Sequence, residues 1–312
     1  MDAHTQATKD WLETRFRQCD QDGIYLAHQP IYGYRKGHCE SRLFERYVIT
    51  YKLLKYLSAL QCETLLDVGG AEGYKAFLAT QLLHVKAVSS DLSEEACKRA
   101  REIFHLEARS AEIHNLPFAD GSFDVVTCSE TLEHVVDYQG ALRELMRVAR
   151  KAVVLTVPHD PPADIERWKR NPPPHAHIHA FNPHTLDYLK AEGCQVFSRK
   201  MVCPFFKIPS FILEASPHKV EEARYSRALV KVYNALVPFL QKVIVPPLRL
   251  IMGRHYESFM IHLDDRVANW FGLYDGILFV ILKDHSLAPL RPQRISMRKI
   301  FAASVPFYHL PS

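Results

Sequence analysis

Leu65-Leu66-Asp67-Val68-Gly69-Gly70-Ala71-Glu72-Gly73-Tyr74 carries a short apolar run into an acid, then a glycine turn, then the start of a helical pattern. Glycine permits backbone angles and close ligand approach that a Cβ forbids. In open α/β sheets such turns lie outside the carboxyl ends of the strands, at the topological switch point where ligands bind. A dinucleotide fingerprint, G-x-G-x-x-G, would need glycines at 69, 71 and 74; Gly69, Ala71 and Tyr74 stand there, and shifting the register by one also fails. Asp67 ends the strand where a pyrophosphate would be repelled and a cationic ligand end welcomed.

Outward from this turn, short apolar runs alternate with helical segments. Strands are predicted at Thr64–Val68, Lys86–Ser90, Phe123–Cys128, Ala152–Val157, Gln195–Met201 and Gly276–Lys283. Helices are predicted at Tyr74–Leu83, Ser93–Phe104 and Tyr138–Ala149, and another is predicted with Asn182 as N-cap, Pro183 in its first turn and Gly193 as its stop. Continuous apolar strands between helices imply parallel strands buried on both faces. The expected fold is α/β: a doubly wound, mostly parallel seven-stranded sheet with helices on both faces.

The 312 residues are long for one domain and short for two. The division expected is an N-terminal helical cap (1–60), a core (61–204 with 273–284), a helical insertion or lid before the last strand (205–272) and a weakly ordered tail (285–312). The cap contains an aromatic loop, Tyr25–Tyr34, before a helix over Arg42–Leu60. Apolar residues at 47%, charged residues at 24% and a net charge of +4 describe an ordinary globular chain and demand no nucleic-acid partner. Seven cysteines without a CxxC pair read as reduced thiols, and Met1–Arg17 has no apolar core of a secretory signal, so the expected location is cytoplasmic. The longest apolar stretch, Ala228–Met252, is interrupted by Lys231, Gln241, Lys242 and Arg249 and holds Pro238, Pro246 and Pro247, so it is not expected to span a bilayer.

Three further segments follow in order: Ser89-Ser90-Asp91-Leu92-Ser93, Glu112-Ile113-His114-Asn115-Leu116-Pro117-Phe118, and Ser129-Glu130-Thr131-Leu132-Glu133-His134. Asp91 lies about 20 residues beyond the glycines, the spacing at which a carboxylate reaches ribose hydroxyls. Together with the glycine turn, they resemble the motifs of class I S-adenosylmethionine-dependent methyltransferases, over roughly residues 60–200 and the closing strand. The resemblance implies S-adenosyl-L-methionine as cofactor. Asp67, Gly69, Gly70 and Gly73 then form its turn, Asp91 binds the ribose, Leu92 packs on adenine, Glu112 and Ile113 flank the adenine amino group, and Ser129 stands at the end of the fourth strand. The chain departs from the family at Ala71, usually glycine, and at Glu112, usually aspartate. The Gly-Gly turn before the fifth strand is replaced by Arg150-Lys151.

A sulfonium methyl is attacked in line by an electron-rich atom, and for a hydroxyl or acidic carbon a histidine base suits neutral pH. His179 is the first candidate, just before Asn182-Pro183, and His134 the second. His175-x-His177-x-His179 would set three imidazoles on one face of an extended segment, able to hold zinc, but no fourth ligand or Cys pair is near and no metal is expected. The acceptor expected is a small, hydrophobic or lipid-like metabolite, methylated on O or C. Phe205-Phe206, Phe211 and Leu229–Leu250 form an apolar cover with basic edges, read first as a helical lid packing on the core, with peripheral membrane contact through 205–252 as the alternative. The competing readings are a nucleic-acid or protein methyltransferase and a non-catalytic cofactor-binding protein.

Overall fold

The computed structural model describes residues 2–33, 38, 42–166, 172–206 and 227–310; Tyr34, Cys39 and Phe211 lie outside them. The strands are β1 (Thr64–Val68), β2 (Lys86–Asp91), β3 (Glu107–Ser110), β4 (Phe123–Ser129), β5 (Ala149–Pro158), β6 (Gln195–Met201) and β7 (Gly276–Leu282). They form one sheet in the order β3-β2-β1-β4-β5-β7-β6. β1 to β5 pair in parallel, and β7 runs antiparallel to both β5 and β6.

Alternation along the strands splits the apolar side chains between two cores. Leu65, Val125, Ala152, Val154, Leu278 and Val280 face one core; Leu66, Val126, Val153, Leu155, Ile277 and Phe279 face the other. The helices covering them are α1 (Ala3–Arg15), α2 (Leu43–Leu57), α3 (Tyr74–Leu83), α4 (Glu94–Phe104) and α5 (Tyr138–Val148). Later come a short α6 (Pro162–Glu166), α7 (Arg227–Phe239), α8 (Val245–Met252), α9 (Tyr256–Phe271) and α10 (Met297–Ala302). α2 and α3 bury the first core, and α5 with Leu186 and Leu189 buries the second. Ser93 caps α4, its hydroxyl accepting from the Ala96 amide at 3.2 Å, as expected of that position.

Four expectations are corrected. Glu107–Ser110, unassigned in the sequence, forms the edge strand β3. The helix expected after Asn182 is only a 3-10 turn at Asp187–Lys190. The Asn182 side chain accepts from the His184 amide at 2.9 Å, two residues on, so it makes a local turn instead of a helix cap. The tail is packed: Ile295, Met297 and Ile300 are buried in the first core, and Ile24 bridges to His309. The prolines of 227–252 also fail to interrupt it. A π-helical turn at Leu240–Ile244 follows Pro238, and Pro246 and Pro247 sit in the first turn of α8, where missing amides cost least. Arg227–Met252 is thereby a 26-residue helix, about 39 Å long, apolar and long enough by composition to cross a membrane.

Candidate active site

The glycine turn hangs from β2: the Gly69 and Gly70 amides donate to the Ser90 carbonyl at 2.8 and 3.1 Å. At Gly69 (φ +70°) an added Cβ would come within 2.1 Å of Thr131 Oγ1, and at Gly70 within 2.4 Å of Ser89 Oγ. At Gly73 it would meet Ala100 and Leu106 at 2.9 Å, so that glycine serves helix packing. Ala71 takes the left-handed backbone (φ +49°) that the family's glycine would adopt, at a steric cost borne by one methyl group.

A cavity of about 130 Å³ opens where the carboxyl ends of β1, β2 and β4 meet α1 and the loop before α2. Of the residues predicted for the cofactor, Gly69, Asp91, Leu92, Glu112, Ile113 and Ser129 line it. Asp67, Gly70 and Gly73 do not: they lie behind the wall and shape the turn. Asp67 is buried, its Oδ1 accepting from Thr127 Oγ1 at 2.7 Å, while Oδ2 has no hydrogen-bond partner among the described residues. Burial pushes its carboxyl above the usual range, against the pull of Lys75.

Asp91 accepts from the Ala71 amide at 2.9 Å and the Ser93 amide at 3.0 Å, tying turn and helix to one carboxylate. Burial pushes its pKa up to about 6 in spite of those bonds. Glu112 accepts from His114 Nδ1, and His114 Nε2 donates to the Asp137 carbonyl at 2.9 Å. Burial opposes charge on this ring, but the two bonds outweigh it and hold its pKa above the ordinary value.

Two contributors escaped sequence reasoning. Glu72, buried inside the glycine turn, accepts from Tyr25 Oη at 3.1 Å, the Gln29 amide at 3.3 Å and the His28 amide. The aromatic loop is thus fastened to the cofactor turn. Lys75, on the first turn of α3, lines the cavity and donates to Ser129 Oγ at 2.8 Å. Burial pulls its ammonium below the ordinary value, and Asp67, Glu130 and Glu133 pull it back. A lysine in an apolar helix that follows a glycine turn was the available signal, since a cation at a helix N-terminus opposes the dipole.

The histidines separate. His134 and His175 line the cavity with ring centroids 3.7 Å apart, and His177 packs edge-on to His134 at 4.8 Å. His179, the first candidate base, is off the cavity wall: its Nε2 donates to the Val135 carbonyl at 2.7 Å and its ring packs on Tyr138. The single face expected for 175, 177 and 179 fails because His175 is left-handed (φ +60°), which breaks the period-two alternation. His134 lies deep; burial, then its neighbours His175 and His177, hold its pKa well below the ordinary value. Thr8, Leu12 and Phe16, in and just after α1, close the cavity from the opposite side.

The residues fit a nucleoside: a carboxylate for a diol, an apolar slot from Leu92 and Ile113, an acceptor in Glu112, and a turn that added Cβ atoms would fill. Residues 66–157 match the methyltransferase domain family. The chain is 34% identical over 106 residues to the ubiquinone/menaquinone biosynthesis C-methyltransferase UbiE of Dinoroseobacter shibae, covering 31% of this chain and 42% of that one. It is 31% identical over 121 residues to a probable S-adenosylmethionine-dependent methyltransferase of Mycobacterium tuberculosis, covering 38% and 42%. The matches thus span under half the length of these relatives. Among solved structures, the [4+2]-cyclase SpnF superposes with a TM-score of 0.51 at 18% identity, covering 90% of this chain and 96% of that one, a likeness of fold. Turn, strand order and domain match agree: residues 66–157 form a methyltransferase domain of the class I S-adenosylmethionine-dependent type.

Proposed function

We propose that the chain transfers the methyl group of S-adenosyl-L-methionine to an oxygen or carbon of a small, hydrophobic, lipid-like acceptor. The observation that carries this reading is one cavity whose wall joins residues suited to the nucleoside, Asp91, Leu92, Glu112 and Ile113, to apolar side chains, Leu12, Phe16, Ile49 and Val68, with His134 among them. When bound, the cofactor supplies a sulfonium methyl ready for in-line attack. Asp91 would hold the ribose hydroxyls, Glu112 the adenine amino group, Lys75 the carboxylate end and Glu130 the ammonium end. The apolar side chains would pack on the acceptor and align it, which is where much of the acceleration of such a transfer arises. His134 stands in the cavity wall with its Nδ1 donating to the Ala176 carbonyl at 3.1 Å, so its Nε2 carries the lone pair.

A hydrophobic acceptor is favoured by the outer face of the insertion. Val232, Phe239, Leu250, Ile251, Trp270 and Phe271 are all more than half exposed, and only 11% of the apolar window in Arg227–Met252 is buried. Such a face suits peripheral contact with a bilayer that delivers the substrate. The six described cysteines are free thiols, which fits a cytoplasmic location. Incubation with methyl-labelled cofactor and fractionated extracts tests the proposal. Label in the organic-soluble fraction is the expected result. Label in protein or in nuclease-sensitive material would put a macromolecular acceptor in its place, and binding without any transfer would leave a non-catalytic cofactor-binding protein.

A further inference from the structure

Behind the cavity wall at His134, Glu133, His134 and His177 each bring one ligand atom within 4.8 Å of the others. The 3-10 turn Leu132–His134 supplies two of them. The third comes from more than 40 residues away, brought in as the Ile178 amide donates to the Glu133 carbonyl at 2.8 Å. None of the nucleoside contacts above uses Glu133 or His177.

Both rings have their tautomer fixed from outside. His134 Nδ1 donates to the Ala176 carbonyl at 3.1 Å, and His177 Nδ1 donates to Asp160 Oδ2 at 2.6 Å. Each ring therefore has a bare lone pair to offer at Nε2. A carboxylate or carbonyl behind Nδ1 is the support that metal-ligating histidines ordinarily receive. His134 Nε2 lies 3.6 Å from Glu133 Oε1, and Glu133 Oε2 is buried with no partner among the described residues. Glu133 is 1% exposed, so this is no solvated surface cluster. Two imidazole nitrogens and a carboxyl oxygen converge there, and burial pushes the Glu133 carboxyl well above the usual range, so without a metal a proton takes the place that a cation would fill.

Three carboxyl groups, Asp67, Glu130 and Glu133, stand around two cations, Lys75 and Arg46. Glu130 also has a buried oxygen, Oε1, without a partner among the described residues. We propose that Glu133, His134 and His177 bind a divalent first-row transition ion such as Zn²⁺, Mn²⁺ or Fe²⁺, with its open positions facing the cavity to receive an oxygen of the acceptor. Two imidazoles and one carboxylate with open positions form a donor set that suits these ions better than Mg²⁺ or Ca²⁺. Ligands about 2.1 Å from a tetrahedral ion stand roughly 3.4 Å apart, so the triad closes by about 1 Å at most when it binds.

The experiment is titration of untagged, chelator-stripped protein with Co²⁺ followed by visible absorption, and with Zn²⁺ followed by calorimetry. One equivalent should bind, with a d–d band of low-symmetry nitrogen and oxygen coordination. Glu133→Gln and His177→Ala should each weaken binding at least 100-fold. Asp160→Asn, which touches no ligand atom of the triad, should weaken it 10- to 100-fold by releasing the His177 ring. Calorimetry of S-adenosylmethionine on the same metal-free variants reports that they are folded. Absence of saturable binding at about 100 µM Co²⁺, or equal binding by wild type and both ligand variants, overturns the site. Protein that binds the nucleoside but not cobalt loses this inference alone, whereas protein that binds neither loses the methyltransferase reading as well.

Discussion

Replacing Asp91 by asparagine removes one charge and keeps the shape of the side chain. In the structure the carboxylate holds two backbone amides, those of Ala71 and Ser93. Asparagine has a single acceptor oxygen, so one amide is left facing an NH₂ group, at a cost of about 1–3 kcal/mol. Against this stands the burial that raises the pKa to about 6, from an ordinary 3.8. That shift is about 2 units, or about 3 kcal/mol of penalty on the ionised form at neutral pH. The sign follows: the folded state holds this proton more tightly, so stability falls as pH rises from 3.8 to about 6 and the variant is spared that loss. The two effects are of similar size, and thermal stability at pH 7 should change by only a few degrees. Cofactor affinity should change much more. Two hydroxyl donors to a charged acceptor become donors to a neutral amide, a loss of about 2–3 kcal/mol, which is roughly 30- to 150-fold in Kd. Wild-type affinity should be flat above about pH 6.5 and weaken by up to tenfold per unit below about 6, as Asp91 takes up its proton. The variant should lose that slope. Calorimetry from pH 5 to 7.5 on both proteins reads each quantity. An affinity unchanged in a folded variant, or a wild-type slope that persists in it, would refute the ribose role.

Gly69→Ala should destabilise the fold by about 2–4 kcal/mol, since its Cβ meets Thr131 Oγ1 and its φ is left-handed. Adding Thr131→Gly should return the steric part in urea unfolding and leave only the backbone penalty. Glu72→Ala orphans the Tyr25 hydroxyl and the amides of His28 and Gln29, so hydrogen exchange across residues 16–33 should accelerate while the sheet amides stay protected. Asp124 is buried, but the Glu63 amide, Arg150 and Lys151 outweigh that burial and hold its pKa down at about 2. Its stabilisation is therefore complete above the unfolded value of 3.8 and is lost as pH falls toward 2. Asp124→Asn should cost about 2–3 kcal/mol at pH 7, and the gap to wild type should narrow through that acid window.

Residues whose role depends on their own neighbours in sequence were readable. The apolar runs of β1, β2, β4, β5 and β7 announced themselves because they are largely buried on both faces, and the edge strand β6 through its length and its Val196-Phe197 pair. β3 did not: Glu107-Ala108-Arg109-Ser110 is an edge strand with only Ala108 buried, so it offers no apolar run to find. The helix expected after Asn182 failed because Asn182 and Thr185 bond locally, the Asn182 amide donating to Thr185 Oγ1 at 2.8 Å. At the site, spacing and resemblance singled out Asp91, Leu92, Glu112 and Ile113, which the structure brings together on the cavity wall. The pairing of Glu133-His134 with His177 was not, since it depends on one backbone bond from Ile178 and on the left-handed turn at His175. His179 was misjudged for the same reason, as that turn sends it toward Tyr138.

The last residues of the chain lie on the first loop: the Tyr25 amide donates to the Tyr308 carbonyl, the Leu310 amide to Gly23, and the Val305 amide to Ile31. That loop is in turn the one held by Glu72. During synthesis, that loop must wait for a partner made some 280 residues later. A ribosome-bound chain can already have paired β1 with β4 and still lack a finished wall for the nucleoside. Competence to bind should therefore arrive late, once residues 305–310 have emerged, and not with the nascent sheet.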